Sequence, residues 1–156
     1  MIRFWGCRGS FPCSEENKRL YGGDTSCIEI RTPSNDTIIL DMGTGLKRLG
    51  QKIISDSSYK KEIHIFLSHF HLDHIHGFVM FAPLFDADYT IKIYSRKSGE
   101  KGLKDILSHF LQPEIWPIAL DDLPAKIFFI DIDEATIRIH DKLSIAKSKS
   151  FFNIFI

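Results

Sequence analysis

The stretch IHIFLSHFHLDHIHG, residues 63–77, decides how the rest of the 156-residue chain is read. It opens with IHIFL, in which only His64 is polar, the pattern of a strand covered on both faces in the middle of a sheet. The sequence then switches at once to His69, His71, Asp73 and His74, an HxHxDH pattern. Side chains that directly follow a buried strand lie at the carboxyl edge of the sheet, where open α/β folds build their sites. If the backbone stays extended past Leu67, His69 and His71 project to one side and can grip a cation through neutral imidazoles. A turn into a helix near His74 then sends Asp73 and His74 toward a second position. Imidazole suits Zn, Fe, Ni or Cu, and Asp73 adds a hard oxygen that also tolerates Mn or Fe. Two cations roughly 3.5–4 Å apart can share a hydroxide and clamp both oxygens of a displacement, so the pattern points to hydrolysis. The competing reading, ordinary surface histidines, has to explain three imidazoles that would repel one another when protonated. His76 reads as an outer-shell or solvated residue rather than a ligand. His64 reads as packed, His109 as solvated, and His140 as a strand end away from the site.

Outward from this stretch, LDMGTG (40–45) places Asp41 at the end of the strand TIILD (37–41), with Gly43 and Gly45 allowing a tight turn into a helix. Asp41 has two readings: an outer-shell carboxylate that orients a ligand histidine, or, with Thr44, a helix cap. The absence of a further glycine at the right spacing argues against a dinucleotide fingerprint. YGGDTSC (21–27) reads as a turn that can also present small polar groups at a site rim. IRFWG (2–6), CIEIR (27–31) and TIILD form an opening β-meander, the last two joined by the turn residues TPSND. Leu46, Leu49, Ile53 and Ile54 give an amphipathic helix, and Leu103, Ile106, Leu107, Phe110 and Leu111 a second one. IKIY (91–94), KIFFI (126–130), TIRIH (136–140) and KLSIA (142–146) read as strands. Strands interleaved with helices imply a layered α/β domain.

Composition narrows the function class. Twenty Lys plus Arg balance 20 Asp plus Glu, and 44% of residues are hydrophobic, as in a single globular domain spanning 1–156. A zero net charge gives no field to hold a polyanion, which argues against a nucleic-acid-gripping protein while leaving nucleic acid open as a substrate. No run approaches a membrane span and the N-terminus lacks a signal-peptide core, so the expected setting is cytoplasmic. Cys7, Cys13 and Cys27 are odd in number and lack CxxC spacing, which argues against a disulfide framework or a cysteine zinc site.

GCRGSFP, YGGDTSC, IILDMGTG and LSHFHLDHIHGFVMFAPLF, in that order, resemble the metallo-β-lactamase superfamily, and within it the phosphodiesterase-like branch of ribonuclease Z and PhnP-type hydrolases. The resemblance covers about the first 90 residues. It implies an αββα sandwich with a dinuclear metal site at one edge, two Zn in a full-length relative, with Mn or Fe as alternatives. It assigns His69 and His71 to one metal and Asp73 and His74 to the other, with Asp41 supporting from outside. The implied chemistry is attack by a metal-bridging hydroxide on a small phosphodiester or related ester, with Asp73 as the catalytic residue that orients the nucleophile. The family also supplies a further His, a bridging Asp and a final His from its C-terminal half. Past His76 this chain has only His109 and His140, neither in a matching motif. SFFN (150–153) resembles the approach to a third metal-binding His, but no His follows. The expectation is therefore an incomplete, C-terminally truncated domain holding the N-terminal half and the start of the second sheet. Its activity alone would be weak or lost, and its exposed sheet face, with Phe128, Phe151, Phe152 and Phe155, would favour self-association. The alternative is a non-catalytic fragment that binds a partner or a single metal.

Overall fold

The computed structural model describes residues 1–18, 20–96, 101–132, 136–140, 143–148 and 151–155, and side chains at 1–16, 18, 20–96 and 101–132. Its main sheet runs in chain order, β1 (Ile2–Gly6), β2 (Cys27–Arg31), β3 (Thr37–Leu40), β4 (Glu62–Phe66), β5 (Thr90–Ser95) and β6 (Lys126–Asp131). β1, β2 and β3 pair antiparallel, the expected meander, and β3 through β6 pair parallel. Parallel neighbours need crossovers. α1 (Gly45–Ser55) lies between β3 and β4, the short α2 (Leu72–Ile75) between β4 and β5, and α3 (Leu103–Phe110) between β5 and β6.

The period-2 alternation of the strands divides the apolar residues between two faces. Cys27, Ile39, Ile63, Ile65, Ile91 and Ile93 share one buried cluster with Leu46, Leu49 and Ile53 of α1 and Leu103 and Leu107 of α3. Both longer helices therefore cover the same face. Each fully buried leucine or isoleucine of α1 contributes about 1.5–3 kcal/mol over leaving it in water. Ile54, expected on the apolar stripe, is 53% exposed and stands at its edge. On the opposite face Ile30, Ile38, Phe66, Tyr94 and Ile132 form a second cluster. Ile2, Phe4 and Phe128 are exposed on that side.

A second sheet of three antiparallel strands follows, β7 (Thr136–His140), β8 (Leu143–Ser148) and β9 (Phe151–Phe155). β7 matches the expected strand and β8 runs on to Ser148. β9, which overlaps SFFN (150–153), is an addition to the expected strands. The side chains of Phe151, Phe152, Phe155 and His140 lie outside the described residues. This mixed α/β arrangement is the fold class that the motifs implied.

One buried carboxylate ties the meander together. Glu29 has no solvent exposure and accepts hydrogen bonds from Trp5 Nε1 at 2.8 Å and Tyr59 Oη at 2.6 Å. Arg31 stacks its guanidinium 3.9 Å from the centre of the Tyr59 ring. Among the described residues, no helix is long and apolar enough to cross a membrane.

Candidate metal centre

β3 ends at Leu40, one residue earlier than TIILD suggests, and Asp41 turns the chain with a φ of 63°. Aspartate is among the few residues that tolerate this left-handed conformation. The turn directs the carboxylate across the end of β4. Its Oδ1 accepts the Ser68 backbone N–H at 2.8 Å and the Ser68 hydroxyl at 2.7 Å. Its Oδ2 accepts the Ser26 hydroxyl at 3.1 Å and lies 2.8 Å from His74 Nδ1.

These contacts assign the tautomers of two histidines. A carboxylate only accepts, so His74 Nδ1 carries the proton and its Nε2 keeps the lone pair in the neutral ring. That Nε2 faces Asp73 Oδ2 at 3.5 Å. The Ser68 hydroxyl gives its hydrogen to Asp41, so it accepts from His69 Nδ1 at 2.9 Å. His69 Nε2 is then also the ring's acceptor atom. The same oxygen lies 3.3 Å from His74 Nδ1, which shares its proton between Asp41 and Ser68.

The rings crowd together. His69 and His71 have centroids 4.4 Å apart, edge to face, and His69 and His74 are 4.1 Å apart. Partial burial and then the neighbouring His74 and His71 push the His69 pKa below its usual value, favouring the neutral ring that binds metals. Burial pushes Asp73 upward, but the Ser10 N–H at 2.7 Å, His74 and His69 outweigh it, and its carboxyl titrates below the usual range.

The local backbone explains this convergence. His71 is extended with φ −64° and ψ 150° and leads directly into α2, the predicted switch from strand to helix. α2 is held against the Asp41 turn by Met42 N–H to His74 O at 2.7 Å and Gly77 N–H to Met42 O at 2.8 Å. The approach demands glycine at both contacts: a Cβ on Gly77 would strike the Gly43 carbonyl, and one on Gly43 would strike the Asp73 carbonyl. Gly43 N–H donates to Ser26 O at 2.8 Å and fastens the 20s loop to the same turn.

His69, His71, Asp73, His74 and Asp41 are thus brought together at the carboxyl end of β4. His76 is exposed at the end of α2, and no side-chain hydrogen bond joins it to the cluster. His64 is buried away from it, between Tyr94 and Glu62, and His109 is exposed on α3. Neither capping reading of LDMGTG holds. Thr44 makes no side-chain cap and instead accepts from Thr25 N at 2.9 Å and donates to Asp24 Oδ1 at 3.1 Å. Ser10 and Ser68 were not singled out in the sequence, whereas Ser26 lies in YGGDTSC, the segment expected to present small polar groups at a site rim. Ser68 left a signal as well, a hydroxyl immediately before the first histidine.

The donor set fits a divalent cation in kind: three imidazoles, those of His69 and His74 with fixed tautomers, a hard carboxylate, and outer partners that hold them. It does not form a closed shell, because among the described residues no three His, Cys, Asp or Glu side chains are arranged to hold a metal ion. Cys7, Cys13 and Cys27 are free thiols, and burial pushes the Cys27 thiol up, far from a metal-binding thiolate.

Comparison with known proteins gives a family match and two fold matches. A model of the metallo-beta-lactamase superfamily matches residues 20–143. The crystal structure of a diphosphatase from the PhnP family superposes with a TM-score of 0.58 at 11% identity, over 93% of this chain and 55% of that one. Zn(2+)-bound PqqB from Methylobacterium extorquens superposes with a TM-score of 0.52 at 13% identity, over 98% of this chain and 61% of that one. The chain therefore spans less than two thirds of the length of either structure. No curated protein matches significantly.

Proposed function

The chain belongs to the metallo-beta-lactamase superfamily, and from that premise we propose that it serves metal-dependent hydrolysis of a phosphodiester or related ester bond. The observation that carries the reading is the hydrogen-bonded set Asp41, Ser68, His69 and His74, which leaves the Nε2 atom of both imidazoles as the free acceptor. The fold likeness to a diphosphatase supports the phosphoester class, and the likeness to a Zn(2+)-bound protein supports zinc, with manganese or iron also compatible with the donors.

In this reading His69 and His71 hold one cation, and Asp73 and His74 a second. When bound, divalent cations supply Lewis acidity and lower the pKa of water. The chain's own residues do the rest. Asp41 orients His74 and, through Ser68, His69. Asp73, anchored by the Ser10 N–H, holds its carboxylate ready to accept a proton from an attacking water. The free thiols fit a reducing, cytoplasmic setting.

Zinc content after purification, with turnover of bis-p-nitrophenyl phosphate, tests the proposal. Turnover that disappears in His71→Ala supports it; a zinc-loaded, folded chain without turnover refutes it. The second reading, a non-catalytic chain binding a partner or a single metal, is favoured by the donors' failure to form a three-ligand site. It predicts weak binding of one zinc and no hydrolysis.

A further inference from the structure

A cleft of about 330 Å³ is lined by Cys7, Arg8, Lys18, Leu20, Tyr21 and Gly22. Its volume falls in the lower range of ligand sites, roughly 300–1,000 Å³. Among the described residues, two half-buried cations line it and no acidic side chain does. Glu15 and Glu16 lie close in sequence but outside the lining. Asp24, whose carbonyl accepts the Arg8 N–H at 3.0 Å, turns its carboxylate to Arg48 at 2.9 Å and Thr44. Arg8 Nε is closed off from solvent and has no hydrogen-bond partner among the described residues. A guanidinium beside a cleft can bind an oxyanion through charge-assisted hydrogen bonds from its terminal nitrogens.

The rim differs in chemistry from the floor. Leu20 is 83% and Tyr21 79% exposed, so an apolar and an aromatic side chain stand beside the cations. The cleft also connects covalently to the candidate site. Ser10, two residues after Arg8 and hence within about 7 Å of it along the chain, donates its N–H to Asp73 at 2.7 Å.

We propose that this cleft binds a phosphate group of an organic substrate, with Arg8 and Lys18 on the oxyanion and Tyr21 and Leu20 against the attached ring or apolar body. The proposal rests on the phosphoester reading above and adds to it the part of the substrate remote from the bond that is cleaved.

The test is calorimetric titration of the metal-free chain with adenosine monophosphate and, separately, inorganic phosphate. Because no metal is present, the result is independent of hydrolysis: binding without any turnover in the zinc-loaded chain would sink the hydrolase reading and leave the cleft standing. Saturable binding of the nucleotide, tighter than inorganic phosphate, is expected. Arg8→Gln should weaken it by about tenfold or more and Lys18→Gln by several-fold. Lys47→Gln, on the exposed side of α1, should leave it unchanged. Should Arg8→Gln fail to fold by circular dichroism, Tyr21→Ser at the exposed rim should weaken the nucleotide and spare inorganic phosphate. Absence of saturable binding, equal affinity for nucleotide and inorganic phosphate, wild-type affinity in both Arg8→Gln and Lys18→Gln, or an equal loss in Lys47→Gln overturns the proposal.

Discussion

Asp41 grips His74 with one oxygen and reaches His69 through Ser68 with the other, so one side chain sets the direction of two imidazoles. Replacing it by asparagine keeps the size but removes the charge and lets an amide N–H face His74. Losing such an outer partner typically costs about 10–100-fold in metal affinity. Asp41→Asn should show a loss of that order for zinc in competition with a chromophoric chelator, and Ser68→Ala a smaller one, since His74 keeps its shorter contact with Asp41. A pH test belongs to a different histidine. His64 is buried, and burial lowers its pKa despite the nearby Glu62. Folded His64 therefore stays neutral where the unfolded ring already takes up a proton. Its contribution to stability is complete above about pH 6.5 and is lost as pH falls toward the depressed folded value. Unfolding by urea should thus show a lower midpoint at pH 5.5 than at pH 7.5, with the difference reduced in His64→Gln. His69 shifts in the same direction and accounts for part of the remainder. The titration of Glu62 and Asp73 is displaced to lower pH and leaves this window clear. At this scale the sequence was legible where a residue type has few other uses. HxHxDH announced a cation site, whereas Ser10 acts through one backbone hydrogen bond, and a serine in a loop carries no such signature.

Among the elements, α2 is only four residues long and cannot be stable by itself. Its place depends on the Asp41 turn, through the Met42 and Gly77 hydrogen bonds and the close approach of Gly77 to Gly43. A methyl group at Gly77 forces these backbones apart. Gly77→Ala should lower stability by about 1–3 kcal/mol, the usual cost of overpacking, and weaken zinc binding with it. Gly9→Ala, where an added Cβ meets nothing within 4 Å, is the matched control and should change neither in a paired denaturation and zinc titration. A Gly77→Ala chain with wild-type values for both would show that the lock is dispensable. Apolar period made β4, β5, α1 and α3 readable, since each buries one strong stripe or run. The pairing of α2 with the β3 turn was not, because glycine–glycine contact over 34 positions leaves no local period.

For the whole molecule, the parallel core and its one-sided helices follow from alternation in the strands, but a sheet's partner layer depends on contacts distant in sequence. That is why β7 and β8 were legible as strands from their own residues and β9 was not. The candidate donors all lie between β4 and β5 of the main sheet, in the loop after β4 and in α2, so metal binding and folding of that sheet are thermodynamically linked. A ligand that binds only the folded chain raises its stability by about 2.7 kcal/mol at 100 times its Kd. For a chain of this size that corresponds to a Tm increase of roughly 5–10 °C. Calorimetric scans across a thousand-fold range of zinc should therefore show Tm climbing with the logarithm of concentration once Kd is passed. His71→Ala should shift the onset to higher zinc, and Asp41→Asn should shift it further than Ser68→Ala. If the donors present hold a single cation weakly, the climb begins late and one equivalent saturates it; a two-cation site gives an earlier onset and two equivalents. A Tm that stays flat over the whole range, in a chain that unfolds cooperatively, would show that these imidazoles and carboxylates do not bind zinc in the folded state.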